Sequence, residues 1–263
     1  MSHLNIFIDG SWLFKVCQAG GVLSRTTEDD TRPFKLDFDK LNKLLLSHAQ
    51  SASTECDSIG ECFIATSIFA LPDVFDDWPN RFDDITEQNI EITRKNVNAR
   101  ERMVRNAVDN AGYNESAVFR PPIRDYIIQQ LMNRQYQEKQ VDAAVVALLV
   151  RSAITRPDDY HVVLTGDSDI LPAIKVAYPT YSENVFLATT HPDELKAEHR
   201  QTSFSLSNFS FALDPVYLQD VTEKIIQGMH SYKCANCSRV FVRSNPIPAG
   251  ARPYCNPCYQ QRT

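Results

Sequence analysis

Two short apolar runs that stop dead at acidic residues constrain the fold more than any other feature. Leu4-Asn5-Ile6-Phe7-Ile8 ends at Asp9-Gly10, and Tyr160-His161-Val162-Val163-Leu164 ends at Thr165-Gly166-Asp167-Ser168-Asp169. Runs this short, with little polar alternation, read as strands buried on both faces, and such strands belong to parallel sheets covered by helices on both sides. Cys62 to Thr66, Ala117 to Arg120 (closed by Pro121-Pro122), Val185 to Ala188 and Phe209 to Leu213 are further strand candidates. Helices are predicted between them. One is capped by Asp37 and runs through Phe38, Leu41, Leu44 and Leu45; others cover Thr93 to Ala111, stopped by Gly112, and Val141 to Thr155. Another leads from Asp169 to about Ala177 with Pro172 in its first turn, and a last one from Asp214-Pro215 to about Gln227. Pro72 to Asp84 is acidic and irregular. The expected class is therefore α/β: a mostly parallel sheet with helices on both faces.

That topology gives the acids a meaning. Strand C-terminal ends share one edge in a parallel sheet, and ligands bind there. Asp9, Asp167 and Asp169 are all placed on that edge, and Asp142 begins the apolar stripe Val145, Val146, Leu149 of its own helix. Each acid has a plain structural alternative. Asp9 suits a turn, Asp169 an N-cap, Asp167 a loop, and Asp142 a helix first turn with Lys139 as its ion-pair partner. Carboxylates brought together repel one another and retain protons unless a divalent cation neutralises them. Hard oxygen donors suit Mg²⁺ or Mn²⁺, and such ions promote phosphodiester hydrolysis.

Asn5-Ile6-Phe7-Ile8-Asp9-Gly10-Ser11, Lys139-Gln140-Val141-Asp142 and Val163-Leu164-Thr165-Gly166-Asp167-Ser168-Asp169 together resemble the NYN domain, a branch of the PIN-like metal-dependent ribonucleases. The resemblance extends over about residues 3–215, although Cys56 to Val108 carries no recognisable motif. It implies a compact α/β domain whose acidic pocket binds Mg²⁺ or Mn²⁺ and cuts RNA. Asp9, Asp142, Asp167 and Asp169 match the acidic positions. The implied chemistry is hydrolysis by an activated water, leaving a 5′-phosphate. Lys139, Ser11 and Ser168 are the candidate substrate contacts. Trp12 stands where the family often has Asn, and Gln140 where it often has Gly. A non-catalytic RNA-binding or adaptor protein on the same fold is the competing expectation.

The C-terminal stretch differs in kind. Cys234-x2-Cys237 and Cys255-x2-Cys258 are separated by 17 residues, which is four-cysteine structural zinc spacing. About 36 residues cannot build a core alone, so Zn²⁺ would supply the folding energy. From Gly228 to Thr263 there is no Asp or Glu but five basic residues, so the net charge of −6 divides into −11 over 1–227 and +5 over 228–263. The chain thus reads as a nuclease-like domain, 1–227, followed by a zinc-ribbon module, 228–263. Arg239-Val240-Phe241-Val242-Arg243 is expected as a strand with an exposed face. Tyr232, Phe241, Tyr254 and Tyr259 either stack on bases or pack the ribbon, and the ribbon's partner is RNA or another protein. His191 and His230 are expected at the surface rather than as ligands.

Other classes lack their signatures. No Gly-x-Gly-x-x-Gly, Walker loop or Gly-x-Ser-x-Gly elbow is present, and an aspartyl-phosphate phosphatase would need an acid where Ser11 stands. No apolar run approaches the roughly 18 residues that span a bilayer, and the first residues do not resemble a secretory signal. An intracellular, cytoplasmic protein without a membrane partner is expected.

Overall fold

The computed structural model describes residues 2–52, 55–133, 140–191, 211 and 213–261. Lys139 and most of the Phe209 to Leu213 strand candidate lie outside them. Six strands form one parallel sheet in the order β3-β2-β1-β4-β5-β6. They are β1 (Ser2–Asp9), β2 (Cys56–Ser67), β3 (Val118–Phe119), β4 (Tyr160–Leu164), β5 (Val185–Thr189) and β6 (Val216–Tyr217). Strand order reverses between β1 and β4, and such a switch point opens a crevice outside the strand C-termini.

Residue alternation assigns the two faces. Leu4, Ile6 and Ile8, with Ile64, Val162, Leu164, Phe186 and Ala188, share one core with α1 (Gly10–Cys17), α2 (Phe38–Ala52) and the C-terminal part of α4 (Glu87–Ala111). Phe7, Phe63, Ala65, Val163, Val185 and Leu187 share the other with α6 (Gln140–Thr155) and α7 (Leu171–Ala177). A third, smaller core lies beyond the sheet. Phe75, Trp78, Ile85, Ile90, Ile123, Ile127 and Ile128 pack α3 (Trp78–Arg81), the start of α4 and α5 (Asp125–Met132) together. The α4 helix therefore belongs to two cores, through Ile90 at one end and Val104 and Ala107 at the other.

Local chemistry explains the element ends. Thr86 forms a reciprocal capping box with Asn89, so α4 starts six residues earlier than its apolar pattern suggests. Gly112 closes it at φ 71°. Asp37 caps α2 by accepting from Lys40 N–H at 3.1 Å. The expected helix from Asp214 to Gln227 is corrected. Val216-Tyr217 pairs in parallel with Ala188 and Thr189, residues 218–221 form a 3-10 turn, and only Thr222–Ile225 (α8) is α-helical. The β-branched and aromatic pair gains more by extending the sheet edge than by continuing a helix.

The C-terminal module is an antiparallel hairpin, β7 (His230–Lys233) and β8 (Val240–Arg243), followed by the short helix α9 (Asn256–Gln260). It does not stand apart. Val240 is buried within the first sheet core, its carbonyl accepts from Glu28 N–H at 2.9 Å, and it bridges Thr27. Lys40 Nζ donates to the carbonyls of Ile226 and Gly228, each at 3.0 Å. Gly228 adopts φ +147°, and a Cβ there would lie 2.1 Å from Val242 Cγ1. Of the face expected to be exposed in residues 239–243, Arg239 and Arg243 are exposed but Phe241 is not, since it packs on the cysteines; Val240, on the other face, enters the sheet core. Among the described residues, no helix is long and apolar enough to cross a membrane.

Candidate functional site

The β1–β4 switch point carries two acids, Asp9 and Asp167, linked through the hydroxyl of Thr165. Asp9 is the last residue of β1 and the N-cap of α1, its Oδ1 accepting from Trp12 N–H at 2.9 Å. Gly10 allows this tight exit, because a Cβ there would lie 2.9 Å from Ala65 O and 3.0 Å from Thr66 Cβ. Thr165 follows β4 and donates from Oγ1 to Asp9 Oδ2 at 3.1 Å. The same hydroxyl accepts from Asp167 N–H at 3.0 Å, and Asp167 Oδ1 accepts from Asp169 N–H at 3.0 Å. One short chain of hydrogen bonds thus runs from β1 to the turn after β4.

Electrostatics single out Asp9. It is 2% exposed. Burial pushes its carboxyl up to about 6; the Trp12 and Thr165 hydrogen bonds pull against that, and the Asp167 charge adds to it. A carboxyl in this state gains strongly from an added cation. Asp167 is half-buried, while Ser168 and Asp169 are exposed. Asp142 lies half-buried in the first turn of α6. The α6 helix packs against β1, β2, β4 and the 168–170 turn, and it leads directly into β4, so its first turn lies towards the same edge. The structure brings Asp9 and Asp167 together through Thr165 and orders Asp169 behind them. Among the described residues, the four aspartates do not form a group whose oxygens all lie within 4.8 Å of one another.

Ser11 stands on the β2 side of Asp9, its Oγ 3.4 Å from Thr66 Oγ1. Arg100 reaches this spot from α4. Its Nη1 lies 3.4 Å from Ser11 Oγ, 3.4 Å from Thr66 Oγ1 and 3.3 Å from Ser67 O, and its guanidinium sits 4.6 Å above the Phe14 ring. The sequence reading missed Arg100, because nothing separates it from the other basic residues of a long mixed-charge helix. The Trp12 ring is 4% exposed within the first core, so the residue serves Asp9 through its backbone N–H.

The second site is the cysteine cluster. Cys234, Cys237, Cys255 and Cys258 place their sulfurs all within 4.8 Å of one another. Cys237 Sγ and Cys255 Sγ are 3.7 Å apart, matching the sulfur–sulfur edge of about 3.8 Å in a tetrahedron with Zn–S near 2.3 Å. Burial works against the Cys234 thiolate, but N–H groups of Cys237, Cys255 and Asn236 more than offset it and bring the thiol down to about 6. Ser238, at φ 61°, closes the first knuckle with a hydrogen bond to Cys234 O at 2.9 Å. The donor set and spacing fit structural zinc. Tyr232, Phe241, Tyr254 and Ile247 pack around the sulfurs, and Tyr232 OH accepts from Ile247 N–H at 2.9 Å. Of the four aromatics proposed for stacking or packing, only Tyr259 is largely exposed, at 62%. His191 lies elsewhere, bound to Asp220 at 2.9 Å and stacked on Tyr217.

Protein families, curated proteins and solved structures offer no match to this chain.

Proposed function

We propose that the protein is a divalent-metal-dependent ribonuclease of NYN, PIN-like type, carrying a zinc ribbon that aids substrate or partner binding. The observation that carries this reading is the Asp9–Thr165–Asp167 chain at the β1–β4 switch point, with a buried carboxyl whose proton affinity is raised. Asp9 and Asp167, with Asp142 and Asp169 on the same edge, are the residues that would hold Mg²⁺ or Mn²⁺. Such an ion supplies water activation and charge stabilisation at the scissile phosphate. The chain's own residues supply the rest. Thr165 orients the Asp9 carboxylate and anchors the Asp167 backbone N–H, the Asp169 N–H orients the Asp167 carboxylate, and Arg100 offers a cation to a phosphate oxygen beside Ser11. Lys139 is proposed as a further phosphate contact.

The second reading, a non-catalytic RNA-binding or adaptor protein, is favoured by one observation. Both oxygens of Asp9 are already engaged, one in capping α1 and one by Thr165. Incubating single-stranded RNA and DNA with the purified chain, with and without Mn²⁺, tests the two. Mn²⁺-dependent cleavage of RNA that disappears in Asp167→Asn supports the enzyme. Equal cleavage by Asp167→Asn removes Asp167 from the site, and RNA binding without cleavage favours the adaptor.

A further inference from the structure

The ribbon and the sheet edge enclose a cleft of about 220 Å³ lined by Thr26, Gln219 and Thr222 from the body and by Lys233, Ser238 and Arg239 from the ribbon, over Cys237 and Val240. Its lining contains two cations and no carboxylate. Lys233 and Arg239 are exposed, and among the described residues neither makes an ion pair. The cleft is tied to the edge that holds the acids. Gln219 Oε1 accepts from His191 N–H at 2.8 Å, and His191 follows the C-terminal end of β5, beside β4. Adjacent strands lie about 4.8 Å apart, so the ends of β4 and β6 are separated by roughly 10 Å.

We propose that this cleft is a phosphate-binding subsite that holds the backbone of single-stranded RNA away from the reacting phosphate, an inference that rests on the ribonuclease reading above. Two cations that make no ion pair among the described residues suit a phosphodiester; the Thr26 and Thr222 hydroxyls on the body side donate to Leu23 O and Gln219 O, at 2.7 and 3.3 Å. The body of the chain is strongly acidic, so a polyanion needs a local basic surface, and the ribbon provides one where the body and ribbon meet. The zinc cluster would set the spacing of Lys233 and Arg239, which flank the Cys234–Cys237 knuckle.

The test is binding of a labelled single-stranded RNA to the zinc-loaded full chain without Mg²⁺ or Mn²⁺, followed over a range of salt. Lys233→Gln with Arg239→Gln should make the slope of log affinity against log salt shallower by about 1.4, at about 0.7 for each lost contact. Gln219→Glu, which keeps the acceptor for His191 and adds a negative charge from the body side, should weaken binding as well. Zinc content and Tm equal to wild type establish that neither variant disturbs the fold. In Mn²⁺, cleavage of a very short RNA should be unchanged in the double variant while cleavage of a longer one slows. An unchanged salt slope in the double variant overturns the subsite even if wild type cuts RNA. Failure of wild type to bind or cut RNA overturns both the subsite and the ribonuclease reading.

Discussion

Thr165 Oγ1 donates to Asp9 Oδ2 at 3.1 Å while accepting from Asp167 N–H at 3.0 Å, so a single hydroxyl joins the ends of two central strands. The Asp9 carboxylate is thereby tied to the backbone of the turn that carries Asp167. Thr165→Val keeps the shape and removes the hydroxyl. It should cost about 1–3 kcal/mol, because the Asp167 N–H and an Asp9 oxygen lose a partner. In the proposed enzyme, kcat for RNA cleavage should fall more than tenfold with little change in KM. A denaturation curve and a rate series check the two effects separately, and an unchanged kcat removes Thr165 from the catalytic arrangement.

Asp9→Asn probes the buried charge. A carboxyl raised from 3.8 to about 6 binds its proton more tightly in the folded chain. The folded state is therefore favoured as the pH falls from about 6 towards 3.8, and at neutral pH the ionised group costs up to about 3 kcal/mol. Asparagine accepts from Trp12 N–H in the same way and carries no charge. In the absence of divalent ions, Asp9→Asn should raise Tm by about 5 °C at neutral pH, and Mn²⁺-dependent RNA cleavage should be lost. A lower Tm would show that the capping geometry outweighs the charge.

His161 gives the opposite pH dependence. It is fully buried in β4, Nε2 lies 3.1 Å from Arg156 O, and burial holds its proton affinity below the ordinary value of 6.5. The folded state binds the proton less well than the unfolded one. Stability is thus complete above 6.5 and declines as the pH falls through 6.5 towards the lower folded value. His161→Gln removes this dependence. Urea midpoints between about pH 5 and about pH 7.5 should fall on acidification in wild type by more than in His161→Gln. Parallel curves would place the titration elsewhere.

The ribbon makes a further case. Cys255→Ser should abolish zinc binding and expose the hairpin, because holding a structural zinc contributes on the order of 10 kcal/mol to such a module. Sequence spacing alone predicts a body that is indifferent to this loss. With Val240 inside the sheet core, Tm of the body should fall too. Val240→Ala is the control: it should lower body stability by about 2 kcal/mol while leaving one zinc per chain. Zinc content near zero in carefully purified wild type would remove the module's metal.

The central strands were legible because burial on both faces leaves a strong signal, whereas the edge strand β6 was read as helix. Tyr160 to Leu164 is β4 residue for residue, and the Asp9-Gly10 stop marks the β1 end. The cysteine cluster was legible because metal geometry fixes its spacing locally. What escaped depends on three-dimensional arrival. Arg100 reaches the rim from a helix whose position only packing determines, and Thr165 takes on its linking role only when β1 and β4 lie side by side. The junction of ribbon and body escaped for another reason. Composition changes sharply at residue 228, but apolar packing does not, since Val240 fills a gap left by residues more than 200 positions earlier.

The length of α4 has a mechanical consequence. Its 25 residues make a rod of about 37 Å, with one end seated among Phe75, Trp78 and Ile127 and the other against the sheet. Arg100 is mounted between the two seats. A helix with continuous backbone hydrogen bonding flexes little over that distance, so repacking at the outer seat reaches the rim as a tilt of the whole rod. The small outer core and the Arg100 guanidinium are thereby carried on one continuous helix.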